Sequence, residues 1–354
     1  MKLPESYTSL PRESIFERIR AARAELGADL VILGHHYQSD DVIQFTDFRG
    51  DSLELSRIAA TQRQAKYIVF CGVDFMAETA AMLCQPYQIV LLPAGEAPCP
   101  MAFMANVDDA GHCWDKLARA WGEGAVIPIT YQNSSAELKA FCGQRGGAVC
   151  TSANAQGVFR WAFDQGKRIL FFPDEWLGTN TALALGLKGN QVVTWEPSLP
   201  DGGNPPLTEA RIVAWKGYCH VHVAFTVEQV YAARQRYSGA IVIVHPECSV
   251  SVVQAADLSG STSFILKQVE GAPAGATFII GTECHMVHRL AREQPNKTVV
   301  PLTESSCKTM ARTTPAHLLY TLEHLVAGEP VGQIIVPPEI SHWANLALQR
   351  MLSI

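Results

Sequence analysis

Three things are scarce in this sequence, and each scarcity removes a class of protein. Among ten cysteines in 354 residues no two are spaced C-x-x-C, which counts against a zinc ribbon and a thioredoxin-like motif. Charged residues are only 18% of the chain and the formal net charge is −6, so the basic face that nucleic acid or an anionic membrane demands is not expected. No uninterrupted apolar run approaches the roughly 18 residues of a membrane-spanning helix. The opening stretch "MKLPESYTSLPRESIFERIRAARAEL" is charged and amphipathic, without an apolar core segment or cleavage site, and reads as no targeting signal. The expectation is a cytoplasmic protein with no membrane and no nucleic-acid partner. Disulfides are not expected in that reducing setting, which leaves metal ligation or quiet burial for the thiols.

What is present is a threefold repeat. Apolar runs ending in polar groups occur as "ADLVILGHHYQ", "GAVIPITYQNSS" and "GAIVIVHPECS". Each leads to a small-hydroxyl turn, in "DFRGDSLELS", "AVCTSANAQGVF" and "ADLSGSTSFIL". A helix and a third strand follow, in "AKYIVFCGVDFMAETA", "KRILFFPDEWLGTNTA" and "GATFIIGTECHMVHRLA". A fourth strand then runs into a cysteine, in "QIVLLPAGEAPC", "ARIVAWKGYC" and "KTVVPLTESSC". His35 to Ser52 and His245 to Thr262 are each 17 residues, while Tyr131 to Ser152 is 21. Ser52 to Cys99 is 47 and Thr262 to Cys307 is 45, against 67 for Ser152 to Cys219, where "EPSLPDGGNPP" is inserted.

Strands alternating with helices predict parallel α/β units, whose sites lie beyond the carboxyl ends of the strands. The expected architecture is α/β, with three pseudo-symmetric αβα three-layer domains, each with a small parallel sheet, around a central site. The domains are placed at 1–98, 99–218 and 219–307, with the C-terminal helices of 308–354 packing on the first.

Cys99, Cys219 and Cys307 hold equivalent places, one per domain. Three converging thiolates suit a [4Fe–4S] cluster with one iron left open as a Lewis acid. Zinc held by Cys₃ or Cys₃His is the metal rival, with "CHVH" offering a histidine. Ligands about a hundred residues apart favour the cluster over structural zinc. Ser52, Ser152 and Thr262 each precede a predicted helix, and are either ordinary N-caps or anion sites where unpaired N–H groups meet a carboxylate or phosphate. His35, Tyr37, Tyr131, Asn133, His222, His245 and Glu247 sit at strand ends as proton donors, acceptors or substrate ligands. His36 is expected to be structural, because strand alternation turns it from its neighbour. His288 is read as structural too, and His285 is open between structure and site.

Taken together, "HHYQ", "GDSLELS", "FCGVDFMAETA", "CTSANA", "FFPDEWLGTNTA", "WKGYCHVH", "HPECS" with "GSTS", and "SSCKTM" resemble the quinolinate synthase family of NAD biosynthesis, from about residue 29 to about 325. The resemblance implies three αβα domains around a [4Fe–4S] cluster on Cys99, Cys219 and Cys307. It implies condensation of iminoaspartate with dihydroxyacetone phosphate to quinolinate, phosphate and water. His35 and Tyr37 match an H-x-Y pair for substrate binding and proton transfer. Tyr131 and Asn133 match a Y-x-N pair for carboxylate and hydroxyl groups, while Ser52, Ser152 and Thr262 match anion positions. His222 follows the second cysteine, and His245 with Glu247 matches H-P-E, with the glutamate as acid–base. Iminoaspartate hydrolyses readily, so transient delivery from the enzyme that makes it is a further expectation. Cys248 and Cys284 lack repeat equivalents and are read as non-ligands of that centre. Two other readings remain: a zinc-dependent lyase or aldolase acting on a phosphorylated ketose, and an iron–sulfur redox sensor without turnover.

Overall fold

The computed structural model describes residues 1–354. Thirteen strands form three parallel sheets flanked by helices, an α/β architecture of three small sheets. The first contains β1 (Leu30–His35), β2 (Phe48–Gly50), β3 (Tyr67–Cys71) and β4 (Ile89–Leu91), in the order β2-β1-β3-β4. The second has β5 (Val126–Tyr131), β6 (Ala148–Cys150), β7 (Arg168–Phe172), β8 (Val192–Trp195) and β9 (Ile212–Trp215), ordered β6-β5-β7-β9-β8. The third has β10 (Ile241–Val244), β11 (Leu258–Ser259), β12 (Thr277–Gly281) and β13 (Thr298–Pro301), ordered β11-β10-β12-β13. Setting aside β8, the three orders are the same. The central strands β3, β5 and β10 are near-continuous apolar runs, buried throughout except for Ile241 at the start of β10, as a parallel sheet covered on both faces requires.

Register carries the repeat down to single residues. His35 pairs with Gly50 and Tyr131 with Cys150. Val244, one residue before His245, pairs with Ser259. In the first two units the expected hydroxyl therefore follows two residues after the partner of the strand-end His or Tyr, and in the third Thr262 follows three residues after the partner of Val244, the same register extended by one residue.

The fifth strand of the second sheet was not anticipated. β8 pairs with β9 through Trp195 and Trp215, which are both buried, and the proline- and glycine-rich insert begins where β8 ends. Gly202 in that insert has φ +67°, and a Cβ there would lie 2.2 Å from the Trp195 ring. The insert thus folds back to cap a tryptophan, a role that only a glycine fits.

The chain forms two compact units, Met1–Cys99 with Cys307–Pro337, and Pro100–Ser306 with Pro338–Ile354. In the first, helix Arg12–Leu26 buries Ile15, Phe16, Ile19 and Ala22, one helical face, against Leu318, Leu319, Leu322 and Leu325 of helix Pro315–Val326 and the underside of the sheet. Glu323 receives Arg18 Nε and Nη2 at 2.8 and 2.7 Å and the Tyr7 hydroxyl at 2.6 Å. Of the two C-terminal helices, Pro315–Val326 lies in this first unit and Pro338–Ser353 in the second. Helix Pro338–Ser353 packs on helix Ala136–Gln144 in the second unit. The fit is close because Gly143 has no side chain: a Cβ there would be 1.8 Å from the Trp343 carbonyl oxygen. Arg350 Nη1 donates to the Gly147 carbonyl at 2.6 Å, fixing the register of the docked helix. No helix is long and apolar enough to cross a membrane.

Candidate functional site

The loops that carry Cys99, Cys219 and Cys307 are anchored alike. After the third strand of each repeat the chain turns into a helix, and an N–H at that turn donates to the carbonyl two residues before the cysteine. The bonds are Asp74 N–H to Ala97 O (3.2 Å), Glu175 N–H to Gly217 O (2.9 Å) and Cys284 N–H to Ser305 O (2.8 Å). An acidic residue stands at each turn: Asp74, Asp174 or Glu283. Asp74 Oδ1 also accepts the Ala97 N–H at 2.5 Å, so that loop is held from both sides. Asp174 and Glu283 instead cap the helices they open, accepting Leu177 N–H at 2.6 Å and His285 N–H at 2.9 Å. The three thiols are half-buried, whereas Cys71, Cys113, Cys142, Cys150, Cys248 and Cys284 are buried. Burial pushes the Cys71 thiol up to about 12 and raises Cys142 and Cys150 as well, environments that keep the thiol protonated and suit packing and not ligation.

Within the first unit, β1 ends on the buried His35, whose Nδ1 accepts the Tyr37 N–H at 3.1 Å. That fixes the tautomer with its proton on Nε2. The Tyr37 ring meets the imidazole edge to face, with centroids 4.7 Å apart. Gln38 Nε2 donates to the Met310 carbonyl at 3.0 Å, tying this strand end to the turn after Cys307, where the Met310 N–H lies 3.5 Å from Cys307 Sγ. His36 is buried and faces Glu54 at 3.9 Å, consistent with a structural part.

The second unit gathers the densest set. Glu247 Oε2 lies 2.9 Å from His222 Nδ1 and 3.0 Å from His245 Nδ1, and all three side chains are buried. The two imidazoles stack, with centroids 4.3 Å apart and planes 16° from parallel. His222 Nε2 is 3.0 Å from Thr282 Oγ1, and His245 Nε2 is 3.2 Å from Ser152 Oγ. His245 Nδ1 also lies 3.4 Å from the Glu247 N–H. One nitrogen cannot both accept and donate there, and the shorter contact to the carboxylate favours a proton on Nδ1. Cys219 Sγ, a His222 ring nitrogen and a Glu247 oxygen lie within 4.8 Å of one another. Glu247 Oε1 is buried and has no hydrogen-bond partner.

Electrostatics follow from this packing. Burial drives His222 down to about 4, and the neighbouring His245 adds to it, so the ring is neutral near pH 7. Burial works to raise Glu247, but the two imidazoles outweigh it and hold the carboxyl well below its usual range. Asp174 goes the other way: full burial and the Glu247 charge lift it well above an ordinary carboxyl. Two buried carboxyls with opposed shifts sit in one electrostatic neighbourhood, the arrangement that separates a base from a neutral acid.

The hydroxyl turns differ from plain capping. Ser52 is the first residue of its helix, and the cap is Asp51, which accepts the Leu53 and Glu54 N–H groups in a reciprocal box with Glu54. Thr262 likewise follows the cap Ser261, which accepts the Phe264 N–H. In the second repeat the Thr151 hydroxyl takes the Ala153 N–H, and Ser152 turns to His245. None of the three expected hydroxyls is spent as the cap. Tyr131 is buried at the end of β5, and Asn133 Oδ1, two residues on, is shielded without a hydrogen-bond partner. His285 is bound to Glu283 through Nδ1 at 2.7 Å, which raises it, and His288 pairs with Glu304.

Asn180 was not singled out from sequence. Its Nδ2 donates to the carbonyls of Pro246 and Cys248 at 2.8 Å each, so a helix beside the second sheet holds the H-P-E turn. Thr282 and Asp174 were also missed as partners of this corner. The acidic residue after each third strand was the available signal, visible as "GVD", "FPD" and "GTE".

Comparison with known proteins places the chain. The family model described as Quinolinate synthetase A protein matches residues 17–353. A quinolinate synthase of Acidobacterium capsulatum is 50% identical over 99% of this chain and 95% of the relative. That of Corynebacterium glutamicum is 49% identical over 99% and 90%, and that of Bacillus subtilis strain 168 is 46% identical over 99% and 96%.

Proposed function

The chain belongs to the quinolinate synthetase A protein family, enzymes of NAD biosynthesis, and we propose that it condenses iminoaspartate with dihydroxyacetone phosphate to give quinolinate, phosphate and two waters. We propose further that the three repeats act as three domains about a common centre, with Cys99, Cys219 and Cys307 as the ligands of a [4Fe–4S] cluster. The observation that carries this is the shared anchor two residues before each of these cysteines. The donor chemistry fits as well. Cys219 is half-buried beside His222 and Glu247, and the bare Oε1 of Glu247 is an acceptor that needs a partner. When bound, such a cluster with one iron lacking a protein ligand supplies Lewis acidity for the loss of a substrate oxygen as water.

The remaining work falls to side chains. Glu247, held ionised by its two imidazoles, takes a proton from the condensing substrate through Oε1. His222, neutral and oriented by Thr282, shares that charge through Nδ1. His245 links Glu247 to Ser152, so the carboxylate and an anion-binding hydroxyl are set by one ring. Ser52, Ser152 and Thr262 offer hydroxyls, with the first N–H groups of their helices, to the carboxylates and phosphate. Tyr131 and Asn133 orient a carboxylate and a hydroxyl, and His35 with Tyr37 binds substrate and relays protons. Iminoaspartate is hydrolysed by water, so burial of these groups serves to keep the imine intact, and direct delivery from its producing enzyme would serve the same end.

Iron and acid-labile sulfide, measured on anaerobically purified protein, test the reading. About four of each per chain are expected, lost in Cys219→Ala and kept in Cys248→Ala, together with quinolinate formation from the two substrates. Zinc without sulfide would overturn the ligand assignment and favour a zinc lyase, and a cluster indifferent to Cys219→Ala would overturn the ligand assignment alone. A cluster with no turnover would favour a sensor.

A further inference from the structure

We propose that Cys284, His288 and Glu304 form a second metal site, suited to a thiophilic divalent ion of the zinc type. Cys284 and His288 are four residues apart on helix Cys284–Glu293, hence on one face a turn apart. Glu304 reaches them from the loop after β13. Cys284 Sγ, a His288 nitrogen and a Glu304 oxygen lie within 4.8 Å of one another. Both Glu304 oxygens are near His288 Nε2, at 3.0 and 3.1 Å.

An overlapping group of Glu283, Cys284 and His285 also brings three ligand atoms together. It is the weaker candidate, because Glu283 is fully buried and already occupied as the helix cap, accepting from His285 and Met286 N–H and from the His285 ring. Cys284, His288 and Glu304 are better placed for an incoming ion. The thiol lies at the buried floor, 8% exposed, while His288 and Glu304 form a rim 45% and 65% exposed. Tetrahedral bonds of about 2.0–2.3 Å put ligand atoms roughly 3.4–3.7 Å apart, so closure asks about 1 Å of movement, which an exposed glutamate can supply. One sulfur, one nitrogen and one oxygen donor exclude calcium and magnesium, which take oxygen shells. A fourth position is left for water.

On binding, the Cys284 thiol proton passes to solvent and the thiolate and Glu304 carboxylate neutralise the dication. The ion would join two residues that flank an existing bond, since the Cys284 N–H already donates to the Ser305 carbonyl and Glu304 precedes Ser305. Ser305 Oγ in turn donates to the Val221 carbonyl at 2.9 Å. A metal here therefore clips the loop leading to Cys307 onto its helix, a clip the other two repeats cannot make, because Phe75 and Thr79 in the first and Glu175 and Thr179 in the second stand where Cys284 and His288 do.

The site is tested on the anaerobically purified, iron-loaded protein by titration with Co²⁺, read as a thiolate-to-cobalt absorption difference, and with Zn²⁺ against a chromophoric chelator. Wild type is expected to bind one more equivalent than Cys284→Ser or His288→Ala. Loss of even an outer partner weakens metal sites about 10–100-fold, so loss of a direct ligand should cost at least about 100-fold. Iron content should be the same in all three proteins, and Zn²⁺ should raise the melting temperature of wild type alone. His288 is exposed enough that His288→Ala should fold even if the cysteine variant does not. Equal stoichiometry in wild type and His288→Ala, or zinc uptake matched by iron release in every protein, would overturn the proposal.

Discussion

His35 ends the first strand of one sheet and His245 directly follows the first strand of another, and the chain makes the same turn at both. In each, the N–H two residues on points at the histidine Nδ1, at 3.1 Å from Tyr37 and 3.4 Å from Glu247. In each, the N–H three residues on returns to the histidine carbonyl at 3.0 Å, from Gln38 and from Cys248. The turn is one device used twice, and the side chain two residues on decides its chemistry. Tyr37 is half-buried and meets its histidine through ring contact and the turn. Glu247 is buried and draws in a second imidazole from the Cys219 loop. The residues between differ too. His36 N–H bonds the Gly50 carbonyl and continues the sheet, whereas Pro246 has no N–H to offer, so the third repeat leaves its sheet one residue sooner.

The comparison can be broken from the carboxylate side first. Glu247→Gln keeps the turn and the volume but removes the charge, so quinolinate formation should fall by about 10²–10⁴-fold, with iron content unchanged. A variant within a few-fold of wild type would remove Glu247 from the proton path.

Asn180→Ala should act on the third repeat's turn alone. It strips both carbonyls of Pro246 and Cys248 of their donor, which costs about 1–3 kcal/mol of stability by thermal or urea unfolding, and lowers turnover because Glu247 is no longer held. Unchanged stability would mean that the turn needs no such brace.

Tyr37→Phe is expected to be milder. It leaves the His35 turn intact and removes one hydroxyl contact to substrate, about 1 to 1.5 kcal/mol or roughly tenfold in kcat/KM. A loss as deep as that of Glu247→Gln would show that the two turns carry equal shares of the proton chemistry.

Glu323→Gln supplies the smallest effect and a control away from either turn. Burial tends to raise the Glu323 pKa, but Arg18 and the Tyr7 hydroxyl outweigh it and lower it. A depressed folded pKa gives stability that is present above the unfolded value of about 4.3 and lost as pH falls through the folded one. With Arg18 41% exposed and Glu323 26% exposed, solvent screening limits the pair to about 0.5–1 kcal/mol at pH 7. The difference in stability between wild type and Glu323→Gln should close toward pH 3, with activity at pH 7 unaffected.

Much of this was legible beforehand where one residue answers to its neighbours along the chain. The repeat, the strand ends, the hydroxyl turns and the three cysteine positions recur in one order, at near-equal spacing in the first and third units and lengthened in the second, because a strand and its turn occupy a set length where nothing is inserted. β8 was missed because it lies in the only unit with an insertion, and an edge strand of four residues has little pattern of its own. The hydroxyls were read as possible caps, yet Asp51 and Ser261 hold those places one residue earlier, a shift below what helix-start signals resolve. Asn180 was invisible for another reason: its partners lie 66 and 68 residues away.

The sequence alone determined the α/β class, the threefold plan, the polar strand ends and membership of a family, since these rest on local periodicity and on motifs in order. Tertiary structure decided which groups share a charge. That Glu247 sits between two stacked imidazoles, and that Asp174 is pushed the opposite way, depends on burial and on distances near 3 Å between residues far apart in the chain. It also decided where the last helix goes, because docking against Gly143 turns on whether one backbone can approach another. Spacing along a chain sets which face a residue is on. Only packing sets what it meets there, and electrostatic energy depends on that meeting.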